Sequence, residues 1–215
     1  LVSHARYLVD IGDMPPVQAA PYACSGLTTY SAIKKIPAQV LKDEKLVVFG
    51  AGGLGHIGVQ TLKAITSAKV IVVDRSPAAL ELAKEIGADE TVVSDGSHID
   101  AVKDLTGGRG ADVVFDFVAE QGAELDGWAM TAPGGYQYII GYGGQFVAPT
   151  LDFVAGEKSV IGNIVGTYTD LAELMVLAQA GKVTLHTQKY PLSEALTALA
   201  DLDAGNVRGR AILVP

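Results

Sequence analysis

A glycine-rich turn between two apolar segments constrains this chain more than any other feature of its sequence. Residues 47–49 are Val-Val-Phe, residues 50–55 are Gly-Ala-Gly-Gly-Leu-Gly, and a helix-like apolar stretch leads to Val-Ile-Val-Val-Asp at residues 70–74. The order is therefore strand, turn of pattern G-x-G-x-x-G, helix, and a second strand that ends in an acid. A glycine pattern alone is common, but this complete order predicts a dinucleotide-binding unit.

Each glycine of the turn has a separate physical role if the ligand is a dinucleotide. Gly50 allows the tight turn, Gly52 lets the backbone approach a pyrophosphate, and Gly55 lets the helix pack closely on the sheet. The helix N-terminus offers N–H groups and a positive dipole end to the phosphates. We therefore predict that Gly50, Gly52, Gly53, Leu54 and Gly55 bind the cofactor.

The acid at the end of the second strand bears on the choice of cofactor. Asp74 lies nineteen positions beyond Gly55, where a carboxylate accepts hydrogen bonds from the hydroxyls of the adenosine ribose. It would repel the 2′-phosphate of NADP, so the sequence favours NAD. Arg75 beside it could stack on the adenine or could weaken this preference, and both alternatives stay open.

Composition and charge narrow the class of protein. The chain has 215 residues, 49% of them apolar and 19% charged, which allows one large domain, or one domain plus fragments, with a sizeable core. The net charge is −8 without a block of Lys or Arg, which argues against nucleic acid or an anionic membrane as partner. The charge-free stretches 46–62 and 127–151 contain repeated Gly, so neither resembles a membrane span. A single cysteine permits no internal disulfide, and we expect a cytoplasmic protein.

The alternation of short apolar runs and helical patterns predicts an α/β fold. The predicted strands are 46–50, 69–73, 90–93, 112–117, 136–140 and 158–162, and the predicted helices are 54–66, 77–86, 97–105, 121–131 and 169–180. Strands separated by helices indicate a parallel sheet covered on both faces, and six of them match the doubly wound order 3-2-1-4-5-6.

The two ends of the chain differ from this pattern. Residues 1–9 begin without Met and already alternate apolar with polar side chains, which we interpret as a chain cut inside a strand. A short helical region at 17–20 and a helix from residue 26 or 27 to Ile36 follow. A helix at 192–204 and a strand at 210–214 lie beyond the sixth strand, which indicates a second structural unit.

A second group of residues precedes the glycine turn. Residues 20–30 are Ala-Pro-Tyr-Ala-Cys-Ser-Gly-Leu-Thr-Thr-Tyr, and Cys24 taken alone is more often a small core residue than a ligand. This segment, then Gly-Ala-Gly-Gly-Leu-Gly-His, Val-Val-Asp and Gly-Arg-Ala-Ile-Leu-Val-Pro, together resemble the zinc-dependent medium-chain alcohol dehydrogenases. The resemblance runs from residue 1 to 215 and is closest to bacterial and archaeal NAD-linked enzymes for primary or secondary alcohols.

The resemblance implies a domain organisation. Residues 1–24 would end a GroES-like catalytic domain, residues 25–164 would form the dinucleotide-binding Rossmann domain, and residues 165–215 would return to the catalytic domain. The family also implies self-association into a dimer or tetramer through the edge of the sixth strand. Its substrates would be small alcohols and their aldehydes or ketones.

The resemblance also assigns residues at the reacting end of the site. Cys24 matches the third ligand of the catalytic zinc, which would act as a Lewis acid on the alcohol oxygen. Thr28 matches a residue against the nicotinamide, although a helix N-terminal threonine is an equal alternative. Ile164 and Val165 match the segment that closes over the nicotinamide, although apolar residues are more often core.

Further cofactor contacts follow from the same resemblance. The backbone of Ile140, Gly141 and Tyr142 would bind the carboxamide. The simpler interpretation is that these residues only form the end of a strand and a turn, and both interpretations can hold. Val118 is also assigned to the cofactor site. Arg210 matches an arginine that reaches the pyrophosphate, with a solvated surface arginine as the alternative and Arg208 as a close competitor.

The sequence also departs from the family. The other two catalytic-zinc ligands, a cysteine and a histidine, and the four-cysteine lobe of many members belong to an N-terminal domain that these residues do not include. None of the four histidines is at a matching position: we predict His56 to be a helix residue and His4, His98 and His186 to be surface or loop residues. We therefore expect dinucleotide binding with little or no activity.

Two alternatives to this interpretation remain. A zinc-free quinone or enoyl reductase shares the fold and the Gly-Leu-Thr-x-Tyr stretch, but such enzymes generally use NADPH and lack a cysteine here, so Cys24 and Asp74 count against it. A non-catalytic NAD-binding or sensor protein is the other alternative.

Overall fold

The computed structural model describes residues 4–38 and 45–215 and has a six-stranded parallel sheet as its main element. The strands are β1 (Lys45–Phe49), β2 (Lys69–Asp74), β3 (Glu90–Val93), β4 (Ala111–Asp116), β5 (Thr131–Ile139) and β6 (Ser159–Gly162). Their order is β3-β2-β1-β4-β5-β6, so the predicted doubly wound sheet is confirmed.

Nine α-helices connect or flank these strands within the described residues. They are α1 (Pro16–Ala19), α2 (Ser25–Lys34), α3 (Gly55–Ile65), α4 (Pro77–Glu85), α5 (His98–Leu105), α6 (Ala123–Met130), α7 (Thr150–Gly156), α8 (Tyr168–Gln179) and α9 (Ala195–Asp203). None of them combines the length and the hydropathy needed to cross a lipid bilayer.

Successive side chains of a strand point to opposite faces of the sheet, and in β1 the side chains on both faces are apolar and buried. In β1, Leu46 and Val48 join the apolar cluster formed with α2, α3 and α4, whereas Val47 and Phe49 join the cluster formed with α5 and α6. Residues 46–49 are at most 5% exposed. An uninterrupted apolar run is what a parallel strand between two helical layers requires.

Three parts of the sheet and its connections differ from the predictions. β5 begins at Thr131 and not at residue 136, because Pro133, Gly134 and Gly135 hid its first half and the ladder to β4 shifts register there. Helix α7 and a strand β7 (Thr187–Pro191) were not predicted, since each is too short to establish a clear period. β7 pairs in parallel with the predicted last strand β8 (Arg210–Val214).

The beginning of the chain does not form the predicted strand. Ala5–Tyr7 is a single 3-10 turn, and the His4 ring accepts a hydrogen bond from the backbone N–H of Arg6 at 3.2 Å. Such a local bond between side chain and backbone competes with strand formation. The interpretation of residues 1–9 as a strand is therefore wrong for residues 4–9, and residues 1–3 lie outside the described part.

One histidine prediction is also wrong. His98 is buried at the start of α5, with its Nε2 3.0 Å from Asp126 Oδ2, so it is not a surface or loop residue. The helical pattern around His98 gives no information about a partner that lies 28 positions further along the chain. His56 lies in α3 as predicted, while His4 and His186 lie in loops.

The segment that leads into β7 is held by hydrogen bonds to the residues of α3 and to Tyr22. Gln60 on α3 donates to the Thr184 carbonyl at 2.7 Å and accepts from the Thr184 N–H at 2.9 Å. Tyr22, next to α2, donates its hydroxyl proton to the Val183 carbonyl at 2.7 Å. An apolar cluster that includes Ile57 and Leu174 fills the space between them.

The Tyr22 hydroxyl gives a direct test of this contact. Tyr22→Phe removes a buried hydrogen bond and leaves a buried carbonyl without that donor, so the free energy of unfolding should fall by about 1–3 kcal/mol in urea denaturation. Tyr7→Phe is the matched control, because Tyr7 is exposed and should change stability by less than about 0.5 kcal/mol. Equal stability of both variants would contradict the contact.

Candidate functional site

A cleft lies at the carboxyl ends of the central strands, beside β1 and β4, where the strand order reverses. This switch point is where doubly wound sheets bind ligands. The cleft has a volume of about 700 Å³. Among the residues that line it are Gly50, Gly52, Gly53, Leu54, Gly55, Asp74, Arg75, Val118, Ile140, Gly141 and Tyr142. The structure therefore brings together most of the predicted cofactor residues.

The three motif glycines have different surroundings. A Cβ on Gly55 would lie 1.8 Å from the Gly50 carbonyl oxygen, and one on Gly50, where φ is +89°, would lie 2.6 Å from Val118 Cγ2. A Cβ on Gly52 would meet nothing within 4 Å. Gly50 and Gly55 are thus required by the packing of the protein itself, whereas the space at Gly52 opens into the cleft.

Asp74 connects the glycine turn to the next strand end. Its Oδ2 accepts from the Ala51 N–H at 2.7 Å, and its Oδ1 accepts from the Ser76 N–H at 2.7 Å. A carboxylate oxygen has two lone-pair positions, so each oxygen retains capacity for a ligand hydroxyl. Arg75 is exposed and lines the same cleft.

Asp116 fixes the opposite wall of the cleft and was not predicted. This buried residue at the end of β4 accepts the Val118 N–H at Oδ1 (2.9 Å), while its backbone carbonyl accepts the N–H groups of Ile140 (2.9 Å) and Gly141 (3.0 Å). Burial raises the pKa of Asp116, with Glu124 among the charges that add to the rise, while backbone N–H donors oppose it. An acid that ends a strand neighbouring β1 was the available sequence signal.

The two competing arginines occupy different places. Arg210 Nη1 would lie 2.8 Å from a Cβ on Gly53, so this guanidinium rests against the glycine turn. Arg208 forms an exposed ion pair with Glu85 at 2.5 Å. The geometry places Arg210, and not Arg208, against the glycine turn.

The residues assigned to the reacting end lie outside the lining of this cleft. Cys24 is exposed and immediately precedes α2. Its backbone carbonyl accepts both the N–H of Thr28 at 2.9 Å and the Thr28 hydroxyl at 2.7 Å. The Thr28 hydroxyl therefore completes the first turn of α2, as in the simpler of the two interpretations of this residue.

The segment after β6 has an unusual backbone. Ile164 is 87% exposed and Val165 is 41% exposed, so neither is a core residue. Val165 has φ +48°, which is rare for a β-branched residue and costs about 1–3 kcal/mol. Asn163 before them is buried and was not predicted as a site residue; a polar residue directly after a strand was its only sequence signal.

The side chains fit a dinucleotide but not a complete zinc site. Open space at Gly52, a carboxylate at Asp74 and a guanidinium at Gly53 match a pyrophosphate and ribose. The described residues contain no group of three or more His, Cys, Asp or Glu side chains placed to hold a metal ion. Zinc requires about four ligands, so Cys24, the one ligand predicted from the sequence, could not hold the ion by itself.

His56 lies directly under the glycine turn. The ring is buried, and its Nδ1 is 2.9 Å from the Gly52 carbonyl oxygen. Burial lowers the pKa of His56 to about 4, and the neighbouring His186 and Arg210 add to the decrease, while the bond to Gly52 opposes it. The neutral ring therefore donates its Nδ1 proton to the turn at neutral pH.

This shift predicts that stability depends on pH. The unfolded chain takes up a proton at His56 near pH 6.5, whereas the folded protein does so only near pH 4. The free energy of unfolding should therefore fall as pH is lowered through this window, by up to roughly 3 kcal/mol from this group. His56→Asn, which retains a donor for Gly52, should weaken the dependence, and His4→Asn, at an exposed site, should not. The measurement is urea denaturation at several pH values. If His56 does not cause the pH dependence, the free energy of unfolding of His56→Asn will vary with pH as steeply as that of the wild type.

Comparisons with known proteins agree with this geometry. Residues 53–180 match the family model described as zinc-binding dehydrogenase. An NAD-dependent alcohol dehydrogenase of Sulfurisphaera tokodaii is 36% identical over 100% of this chain and 62% of its own length. A D-arabinose 1-dehydrogenase (NADP⁺) of Saccharolobus solfataricus is 31% identical over the same shares.

A solved structure is also similar. The alcohol dehydrogenase of Aeropyrum pernix superposes with a TM-score of 0.91 at 38% identity, over 94% of this chain and 60% of that one. The chain thus spans about 62% of the length of the curated relatives it matches. With the sheet order, the glycine turn and the family match in agreement, the chain belongs to the zinc-binding dehydrogenase family.

Proposed function

We propose that this chain is the coenzyme-binding part of an NAD-dependent, zinc-dependent alcohol dehydrogenase, with residues 1–24 and 165–215 contributing to its catalytic domain. The observation that carries the proposal is the cleft at the switch point, which Gly52 and Asp74 line, with open space at Gly52 and with Arg210 against the neighbouring Gly53. These groups match the pyrophosphate and the ribose of a dinucleotide, which supports NAD as the cofactor. The similarity to alcohol dehydrogenases along the whole chain supports the reaction.

The cofactor would lie across the carboxyl ends of the strands. Residues 52–54 would bind the pyrophosphate through their backbone, with the Arg210 guanidinium on the other side. Asp74 would accept the ribose hydroxyls, and Val118 would pack on the adenosine. Ile140 to Tyr142 would bind the carboxamide through their remaining backbone groups, in a segment that the Asp116 carbonyl holds in place.

The choice of NAD over NADP rests on Asp74. Its carboxylate is fixed by two backbone N–H groups, so it cannot turn away from a 2′-phosphate without losing them. The relatives of this chain include an enzyme named for NAD and one named for NADP⁺. We therefore base the choice of NAD on the Asp74 carboxylate. Arg75 is the residue that could reduce this preference for NAD over NADP.

The reacting end would be completed by other residues of a longer protein. Cys24 would supply one ligand of a zinc ion, which when bound polarises the alcohol oxygen. Thr28, Ile164 and Val165 would contact the nicotinamide and exclude water from it. Self-association through the edge of β6, into a dimer or tetramer, is part of the same proposal.

Cofactor titration tests the first part of the proposal. NADH should bind this chain with at least about tenfold higher affinity than NADPH, measured by NADH fluorescence. Gly52→Ala should weaken NADH binding at least about tenfold without lowering the stability of the fold, because the added methyl group would contact only the ligand. Gly162→Ala is the matched control, since its Cβ also meets nothing within 4 Å and it does not line the cleft. Equal NADH affinity of the two variants would reject the proposed pyrophosphate site.

The reaction itself is tested in a longer protein that carries the family's remaining zinc ligands. It should reduce NAD in the presence of a primary or secondary alcohol and contain zinc. Cys24→Ala should lower both zinc content and turnover, the latter by more than about 100-fold, while Arg208→Ala, at a surface ion pair, should not. A zinc-free protein that reduces quinones with NADPH would favour the reductase alternative. NAD binding without any turnover would favour the non-catalytic one.

A further inference from the structure

We propose that Asn163 is a positioning residue that couples the Cys24 end of α2 to the segment 163–166, so that cofactor contact with that segment orders the cysteine. The roles of cofactor and cysteine rest on the proposed function. The coupling itself rests only on contacts within this chain, and the two can fail separately.

The Asn163 side chain contacts three residues, two of them in α2 or at its end and one in its own segment. Its Nδ2 donates to the Thr28 carbonyl at 3.1 Å and lies 3.5 Å from the Val165 carbonyl. Its Oδ1 accepts from Lys35 Nζ at 2.5 Å, just beyond the end of α2. Asn163 is 8% exposed, so solvent competes little with these bonds and their strength depends on the side chain staying in place.

The contact with Thr28 extends directly to Cys24. Thr28 uses both its N–H and its hydroxyl to hold the Cys24 carbonyl, at 2.9 and 2.7 Å. Cys24 itself has no side-chain bond that caps the helix. The position of the Cys24 backbone is therefore set by Thr28, whose own carbonyl is held by Asn163.

The other end of the coupling is a strained segment pressed against α2. A Cβ on Gly166 would lie 2.7 Å from both Leu27 Cδ1 and Ser31 Cβ, which shows how closely the segment approaches the helix. Val165 retains φ +48° in this position. A backbone in such a conformation persists only when its surroundings hold it there, and Asn163 and Gly166 provide those contacts.

These contacts give Asn163 a role beyond satisfying a buried carbonyl. Ile164 and Val165, which the proposed function assigns to the nicotinamide, are exposed at one end of these contacts, and Cys24 is exposed at the other end. A ligand that orders the segment should therefore also order Cys24. By linkage, anything that fixes Cys24 should tighten cofactor binding by the same factor.

Asn163→Asp tests the coupling with a change of almost no volume. The variant keeps an oxygen for Lys35 but replaces the Nδ2 donor with a second oxygen, which repels the Thr28 carbonyl. Asn206→Asp is the matched control, because it adds the same charge at an exposed site between α9 and β8. Asn163→Ser removes the contacts without adding a charge and serves if the aspartate variant does not fold.

The readout is the alkylation rate of Cys24, the only cysteine in the sequence, together with amide hydrogen exchange at Thr28. Saturating NADH should slow iodoacetamide alkylation at least about fivefold in the wild type and in Asn206→Asp. In Asn163→Asp and Asn163→Ser it should slow alkylation less than about twofold. The Thr28 amide should exchange about tenfold faster in both Asn163 variants even without NADH.

Two outcomes would overturn the coupling. One is undiminished protection of Cys24 in an Asn163 variant that binds NADH, since the cofactor would then cover the thiol directly. The other is a Thr28 exchange rate equal to that of the wild type without cofactor. If NADH fails to bind the wild type, the proposed function fails, while the exchange rates in the unliganded chain still decide the coupling.

Discussion

The close approach of α3 to the end of β1 is the contact on which the rest of the site depends. The helix begins so near the strand that Gly55 has no room for a side chain beside the Gly50 carbonyl. This approach brings the N-terminal turn of α3 to the switch point of the sheet. It also places Ala51 where Asp74, at the end of the neighbouring strand, can accept its N–H.

Two acids at strand ends then hold the cleft open in a fixed shape. Asp74 ends β2 and Asp116 ends β4, on either side of β1, and each accepts backbone N–H groups from the loop that follows its own strand. The N–H groups of Ser76 and Val118 in these loops do not pair with a neighbouring strand. The two carboxylates accept hydrogen bonds from them instead. The cleft is therefore shaped by the protein's own hydrogen bonds before a ligand contacts it.

The sheet and the glycine turn could be predicted because their signals are local. Residues 46–49 carry a continuous apolar run, and the turn residues follow it directly, so spacing alone indicates strand, turn and helix. The position of Arg210 could be predicted from resemblance and was distinguished from Arg208 only by geometry. The residue boundaries of the domains and the binding roles of the individual residues remain predictions.

What the sequence did not reveal depends on contacts between distant parts of the chain. His98 was predicted to be a surface or loop residue, and only the position of Asp126 on α6 explains why it is buried. The role of Asn163 could not be predicted, because its partner Thr28 lies on α2, 135 positions away in the sequence. The first half of β5 contains Pro133 and two glycines, and only the neighbouring β4 makes it a strand. No short-range period could carry such information.

The contact between Gly53 and Arg210 has a consequence for how the protein is made. One side of the proposed pyrophosphate site is Gly53, just after β1, and the other is Arg210 on β8, 157 positions further along the chain. The site is therefore incomplete until the residues of β8 have left the ribosome. A dinucleotide cannot use this arginine to stabilise the nascent Rossmann unit, which must fold first on the strength of its own apolar layers.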